Sequence, residues 1–533
     1  LLKNKWPEES RMQRSLIENM MKTGFYPHGP RSVEFVQTHI SMVFIAGDLV
    51  FKVKKPVDFG FLDFTSLEKR RHFCEEEVRL NRRLAPDVYL GVAEIREGER
   101  GALNLKGEGQ IVEYAVVMKR LPQERMLKEL LKRGAADIRL MEAVAAKLAA
   151  FHVQASTGGE IDEIGGGIDT IRFNHVENFE QTEKYVGLIG AGRYRFLRDY
   201  VDDFLKRNKK LLFRRVADHH IRDCHGDLHL EHICILDEIV IFDCIEFNER
   251  FRYSDTASEV AFLAMDLDFN GYSDYAQSFV EAYVRHSSDR ELVKLLNFYE
   301  CYRAYVRAKV TSFRLDDAAL EEDKRSEAAS VAGRYYDLAY TYAARLEEPA
   351  LILVCGLMGT GKSVLARGLA GRLGAEVIRM DVLRKKLLGI SPAERRLEPF
   401  ARGIYSEEIT GKTYGQALRQ AEELLQKGRS VIIDASFKRR DARRKTLETA
   451  ERLKKAFFVV ECVLPEDILR QRLEQRAADI AEPSDGRWEI FQAQKKDFDP
   501  VTEMAPGIHI KADTSVPPED AVLEVIRRIR LGE

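Results

Sequence analysis

Cysteines are few: seven, an odd number scattered through 533 residues. A disulfide framework needs an even, regularly spaced set, so reduced thiols are expected. The sequence also lacks any run of about 20 apolar residues, the length that a membrane-spanning helix needs. The stretch holding Lys3, Lys5, Glu8, Glu9 and Arg11 has no apolar centre of the secretory kind. Neither a membrane partner nor secretion is expected, and the cytoplasm is. The chain opens on Leu1, so nothing rests on where it starts. An excess of charge of one sign is missing as well. Lys and Arg number 84 against 86 Asp and Glu, a formal net charge of -2, which gives no global attraction to nucleic acid or to a lipid surface. Any anion binding must be local. There is no internal repeat and no low-complexity tract.

What is present is an ordinary globular composition, 45% hydrophobic and 32% charged, in a chain too long for one core. Typical domain sizes imply about two to four units. Short alternating or apolar runs at Val33 to Val36, Met42 to Ile45 and Leu49 to Val53, turned by Ala46-Gly47-Asp48, predict a small β-rich lobe. A charged helix from about Ser66 to Leu84 and a strand ending at Tyr114 to Met118 belong to it, and from Met141 to Phe151 the periodicity becomes helical. A helical, aromatic-rich pattern runs from about Leu292 to Leu346, with acidic Leu315 to Asp323 as a surface connection. Glu347-Glu348-Pro349 ends it, because proline disfavours helix at the residue before it, and the apolar strand Leu351 to Cys355 begins at once. The boundary is placed there, giving domains 1–346 and 347–533. Beyond it strands and helices alternate, which predicts a parallel sheet covered on both faces. A helix carrying Val522, Val525, Ile526 and Ile529 closes the second domain.

Gly356-Leu357-Met358-Gly359-Thr360-Gly361-Lys362-Ser363 matches the P-loop pattern in full, after an apolar strand and before a helical pattern. Glycines let backbone N–H groups turn inward around phosphate oxygens, and the following helix N-terminus adds positive potential. Gly356, Gly359, Thr360, Gly361, Lys362 and Ser363 are therefore candidate ATP ligands, with Lys362 reaching the β/γ-phosphates and Ser363 a candidate for Mg2+. Asp434 ends the strand Val431-Ile432-Ile433, where a carboxylate would meet the hydrated metal; a helix cap is the alternative. Leu351 to Asp499 resembles small P-loop kinases of the gluconate kinase, polynucleotide 5′-hydroxyl kinase and zeta-toxin type. The resemblance, which takes in Arg472, Arg476 and the Ser484-Asp485 pair in a lid-like stretch, implies that Asp381 orients or deprotonates the acceptor hydroxyl and that Arg472 and Arg476 neutralise charge on the transferring phosphoryl group. An N-cap and a solvated helix face are the bland alternatives for Asp381 and the arginines. Lys438, Arg439, Arg440, Arg443, Arg444 and Lys445 crowd the stretch after Asp434, which suits a polyanionic acceptor such as a nucleic-acid end or, equally, an exposed helix face.

Cys224-His225-Gly226-Asp227-Leu228-His229, with Ile241-Phe242-Asp243 after a short hairpin, resembles the aminoglycoside phosphotransferase family of the protein-kinase-like fold. Phe51-Lys52-Val53 on a strand, Glu77 in the next helix and Val116-Val117-Met118 extend the resemblance. It implies that Asp227 takes or orients the acceptor's proton, that Asp243 binds Mg2+, and that Lys52 paired with Glu77 positions the α/β-phosphates; Lys54, on the same strand face, is the alternative lysine. The family's metal-binding Asn, five residues after the loop Asp, is His232 here, a poorer partner for a hard cation than an amide oxygen. No glycine stands in Thr38 to Met42, where a phosphate loop is expected. His225, His229, His232 and Cys234 also permit a zinc reading, which nothing else supports.

The fold class expected is α/β and α+β: a bilobal protein-kinase-like domain followed by a P-loop domain with a parallel sheet flanked by helices. Two-domain bacterial proteins of this composition are what nearly the whole chain resembles, on phrases such as Lys55 to Phe64 and Phe242 to Asn248. That implies a bifunctional ATP-dependent phosphotransferase acting on hydroxyl acceptors, small molecules in the main and nucleic acid as the alternative. A degenerate first domain regulating a P-loop kinase is the competing reading. Acceptor identity and oligomeric state are not legible.

Overall fold

The computed structural model describes residues 11–98, 101–105, 107–317, 320–391, 403–478 and 488–532. They divide into two compact units, one running to Tyr185 and resuming at Phe204–Ala339, the other made of Val186–Asp203 and the chain from Tyr340 onward.

The first unit begins with an antiparallel sheet of β1 (Val33–Gln37), β2 (Ser41–Ala46), β3 (Leu49–Lys54), β4 (Tyr89–Glu97), β5 (Leu103–Asn104) and β6 (Gln110–Lys119), in the order β1-β2-β3-β6-β4-β5. Alternation along β3 sorts its side chains between the two faces of this sheet. Phe51 and Val53 pack with Met42, Phe44 and Ile95 under the helix Arg11–Met20, so Lys52 and Lys54 emerge on the opposite face. There the helix Leu67–Asn81 presents Glu77, fully buried. Ser66 starts that helix, its hydroxyl accepting from the Lys69 N–H at 3.2 Å. The rest of the unit is helical, built on Leu140–Gln154, Ile168–Thr182, Thr256–Phe269, Ser273–Ser287 and Val293–Phe313. Small strands carry its loops: β7 (Ile221–Asp223) and the hairpin of β8 (Ile233–Ile235) and β9 (Ile239–Ile241), with β10 (Tyr253–Asp255) pairing antiparallel to β7. This is the bilobal protein-kinase-like arrangement.

The second unit is an α/β domain. Its strands β11 (Ala350–Cys355), β12 (Glu376–Arg379), β13 (Val431–Asp434), β14 (Ala456–Val463) and β15 (His509–Asp513) form one all-parallel sheet in the order β12-β13-β11-β14-β15. Central β11 is buried at every position, which is why it reads as an unbroken apolar run rather than an alternating one. Leu351, Leu353 and Cys355 pack against Ala417, Ala421 and Leu425 of the helix Glu407–Gln426. The helices Lys362–Leu373 and Pro518–Leu531 pack against each other and against β11 and β15 respectively.

The sequence reading assigns residues 186–203 to the first domain, whereas they pack in the second unit. Arg193 pairs with Glu519, Arg527 reaches Asp199 at 3.3 Å, Phe196 meets Tyr340 edge-on at 5.4 Å, and a Cβ added to Gly192 would stand 2.7 Å from Leu523. All seven cysteines are free and buried. No described helix is long and apolar enough to cross a membrane.

Candidate functional site

In the first unit the Asp227 loop is held from behind by groups that sequence reasoning missed. The Glu259 carboxylate accepts from the His225 and Gly226 N–H groups at 2.8 and 2.7 Å and from His152 Nε2 at 2.9 Å. Asp266 accepts from the Leu230 N–H at 2.9 Å, and Arg303 donates to the Gly226 carbonyl at 3.2 Å. Gly226 has φ +88°, and a Cβ there would lie 3.0 Å from the Phe251 carbonyl oxygen, so only glycine suits the turn. A signal for Glu259 and Asp266 was present: two acids stand seven residues apart in a helix buried without interruption from Thr256 to Leu267, and buried carboxylates require donors.

The groups at the front of the loop form a connected line. His232 Nδ1 lies 2.8 Å from the Asp227 carbonyl oxygen; that oxygen can only accept, so Nδ1 carries the proton and Nε2 a lone pair. His232 Nε2 faces Asp243 Oδ2 at 3.5 Å, and Asp243 Oδ1 accepts from Lys52 Nζ at 2.7 Å. Lys52 Nζ lies 2.9 Å from Glu77 Oε1. Lys54 also engages Glu77, at 2.7 Å from Oε2, and makes a further short contact with Glu246. The two lysines differ in exposure: the Lys52 side chain is 15% exposed and lines the cavity, the Lys54 side chain 1%. Lys52 thus meets Glu77 and Asp243 at the cavity, and buried Lys54 meets Glu77 and Glu246. Asp243 has φ +63°, a conformation that non-glycine residues rarely hold and that marks strain at functional sites.

Electrostatics follow from these contacts. Burial alone would raise Asp227, yet His229 and His232 hold it far below the usual carboxylate range. Burial likewise opposes ionisation of Asp243, and Lys52 together with His232 reverses that. Burial and the neighbouring His229 push His232 down to about 4, so it is neutral near pH 7. A bare imidazole nitrogen and a carboxylate oxygen, both acceptors, facing each other at 3.5 Å suit a divalent cation between them. His225 donates from Nε2 to the Phe242 carbonyl at 2.9 Å and Cys234 is wholly buried in the core, so neither is placed as a zinc ligand.

Lys52, Gly226, Asp227, Asp243 and Glu246 line a cavity of about 1640 Å³, with Glu77 behind Lys52 and His232 behind Asp243. Where glycines were sought, Thr38 serves instead: its hydroxyl accepts from the Ser41 N–H at 2.9 Å and closes the β1-β2 turn that lines the cavity.

In the second unit, Gly356, Gly359 and Gly361 have φ of +131°, +82° and +84°. A Cβ on Gly356 would lie 2.7 Å from the Cys462 carbonyl oxygen, so β14 approaches the loop too closely for any other residue. Gly361 caps the helix beginning at Lys362, which aims its free N–H groups at the loop. Lys362 Nζ donates to the Leu357 carbonyl at 2.7 Å, folded onto its own loop. Thr360 donates to the same carbonyl at 2.8 Å. Asp434 ends β13 with Ser363 hydrogen-bonded to it; burial raises its pKa, and Ser363 and Lys362 only partly offset that.

Asp381 lies on the helix Met380–Leu387, well exposed, with Arg384 at 3.1 Å. Arg472 Nη2 donates to the Thr514 carbonyl at 2.9 Å, and Thr514 Oγ1 to the Thr360 carbonyl at 2.7 Å, which links it to the loop's rear. The Arg476 side chain and Ser484-Asp485 lie outside the described residues. Much of the basic run is neutralised locally: Lys438 and Arg439 meet Asp497 at 2.6 Å, and buried Arg443 meets Glu503 at 2.6 Å.

The family model described as "AAA domain" matches residues 351–501. An uncharacterized protein of Mycobacterium tuberculosis (strain H37Rv) is 32% identical over 469 residues, covering 88% of this chain and 91% of that protein. Among solved structures, an amicoumacin kinase in complex with AMP-PNP, Ca2+ and Ami is 14% identical, with a TM-score of 0.39, over 62% of this chain and 94% of that one. A gluconokinase from Sinorhizobium meliloti is 20% identical, with a TM-score of 0.25, over 34% of this chain and 91% of that one.

Proposed function

The chain belongs to the family of that mycobacterial protein, and from this premise we propose that it is a bifunctional phosphotransferase, each unit moving the γ-phosphoryl group of ATP to a hydroxyl acceptor. The observation that carries the two-centre reading is the line Glu77, Lys52, Asp243, His232 and Asp227, of which Lys52, Asp243 and Asp227 border one cavity of the first unit, in a chain that also holds the P-loop Gly356 to Ser363.

In the first unit Lys52, fixed by Glu77, holds the α- and β-phosphates. Asp227 receives the acceptor hydroxyl. A carboxylate this acidic is a weak base, so its part is to orient the hydroxyl and take the proton only as the O–P bond forms. In the second unit the N–H groups around Gly356 to Ser363 surround the phosphates. Lys362 leaves the Leu357 carbonyl for the β/γ oxygens, and Asp381, exposed beside Arg384, is open to an acceptor. Asp243 with His232, and Ser363 with Asp434, would hold the divalent cations, which when bound neutralise charge on the phosphate oxygens. Neutralisation of Lys438, Arg439 and Arg443 favours a small acceptor over a nucleic-acid end for the second unit.

His232 supports one competing reading, in which the first unit binds nucleotide without turnover and regulates the second. γ-Labelled ATP, incubated with a fractionated metabolite and oligonucleotide pool, separates the two. Two products, one lost in Lys362→Ala and the other in Asp227→Ala, are expected. A single product lost only in Lys362→Ala would establish the regulatory reading instead.

A further inference from the structure

The cavity of the first unit has a second charged wall beside Asp227. It is made by the helices Ile168–Thr182 and Val293–Phe313. At about 100° per residue, Val306 and Val310 face the cavity centrally, and Lys309 stands at the edge of the arc nearest the other helix.

Lys309 Nζ donates to Asn178 Oδ1 at 2.6 Å and to Gln181 Oε1 at 2.8 Å. Both partners are neutral. An ammonium has three donors, so one N–H is left over, and because it must meet oxygen, the amide NH2 groups of Asn178 and Gln181 turn away from it. Asn178 Nδ2 is buried and turned toward the Tyr302 hydroxyl. The nearby carboxylate, Glu177, is engaged by Arg250 at 3.0 Å. The wall therefore carries the cations Arg303, Arg307 and Lys309 against one anion, Glu177, which Arg250 already engages. Burial accordingly pushes the Lys309 ammonium down to about 8, with Glu177 opposing this and Arg250 adding to it. A buried ammonium hydrogen-bonded to two neutral amides, with one N–H left over, is unfavourable in the free protein and is relieved by a ligand bringing acceptor oxygens and negative charge.

We propose that Lys309, held in place by the side-chain oxygens of Asn178 and Gln181, forms an oxyanion subsite that receives a carboxylate or phosphate group of the acceptor, so that the first unit phosphorylates an anionic hydroxyl compound. The acceptor class rests on the phosphotransferase reading of this cavity; the subsite itself does not. A polycationic acceptor is disfavoured, since it would meet Arg250 and Lys309.

The test is equilibrium dialysis of labelled inorganic phosphate against the full chain saturated with AMP-PNP and Mg2+, so that the nucleotide sites are already filled. Wild type is expected to show a saturable phosphate site that Lys309→Gln weakens at least tenfold. Asn178→Asp supplies the missing anion and is expected both to abolish the site and to raise the thermal unfolding midpoint, which guards against a Lys309 variant that fails to fold. Stronger competition by methyl phosphate than by acetate assigns a phosphate-bearing acceptor, and the reverse a carboxylate; either supports the subsite. Absence of phosphate binding in wild type, or equal binding in wild type and both variants, overturns it. Should the site be present while Asp227→Ala leaves every transferred product intact, the phosphotransfer reading of this unit fails and the subsite stands.

Discussion

Exchanging each of the paired strand lysines for methionine separates holding the lobe together from holding a nucleotide. Lys54 is 1% exposed, sits 2.7 Å from Glu77 and touches Glu246, with the Phe64 ring 4.9 Å away. Its removal leaves two buried carboxylates facing each other with one fewer cation. Breaking a buried ion network on one side costs about 3–5 kcal/mol, so Lys54→Met should lose that much in urea unfolding. Lys52 is more exposed, and its removal leaves Glu77 with Lys54 and Asp243 partly open to water. Lys52→Met should lose about 1–2 kcal/mol and weaken AMP-PNP binding in this unit at least tenfold, about 1.4 kcal/mol. The pH dependence has a definite sign. Burial already raises Glu246 above its ordinary 4.5, though Lys54 opposes this; without Lys54 it rises further. A carboxylate with a raised folded pKa stabilises most below its unfolded pKa and loses that contribution as pH rises through the folded one. The deficit of Lys54→Met should therefore shrink between pH 8 and pH 5. A Lys54→Met protein as stable as wild type, with nucleotide binding lost, would refute the assignment and make Lys54 the ligand.

Further outcomes can be checked with single variants. Glu259 sits at about 2: burial opposes ionisation, and the His152 hydrogen bond with the charges and N–H donors around it outweighs burial. Its stabilisation, about 3 kcal/mol, is present above pH 4.5 and disappears as pH falls toward 2, so Glu259→Gln should flatten acid unfolding over that window as followed by circular dichroism. Arg443, fully buried, pairs with Glu503 and donates to the Phe437 carbonyl at 2.7 Å; Arg443→Met should destabilise the second unit by about 3–5 kcal/mol, read by calorimetry. Gly356→Ala places a methyl 2.7 Å from the Cys462 carbonyl oxygen at a positive φ and should abolish labelling of the P-loop by an ATP photoprobe while labelling of the first unit persists.

Legibility in the sequence followed the spacing of the interacting residues. The P-loop is eight contiguous residues between a strand and a helix, so local rules sufficed. Asp227, Asp243 and His232 lie within one short segment and were likewise visible. Lys52 and Lys54 could not be ranked, because period-two geometry puts them on one face and only the far partners, Asp243 and Glu246, tell them apart. Glu259 and Asp266 act on backbone N–H groups more than thirty residues away, and a backbone group has no sequence signature. Thr38 replaced an expected glycine because a hydroxyl can close a turn from the side chain. The transfer of residues 186–203 to the second unit depends on Glu519, Leu523 and Arg527 at the far end of the chain, beyond the reach of any local pattern.

The presence of two nucleotide centres is tested most directly by counting sites in the intact chain with isothermal titration of AMP-PNP in Mg2+. Two sites per chain are predicted, one lost in Lys362→Ala, the other in Lys52→Met, and none left in the double variant. A single site that Lys362→Ala alone removes would contradict this and leave the first unit without a nucleotide.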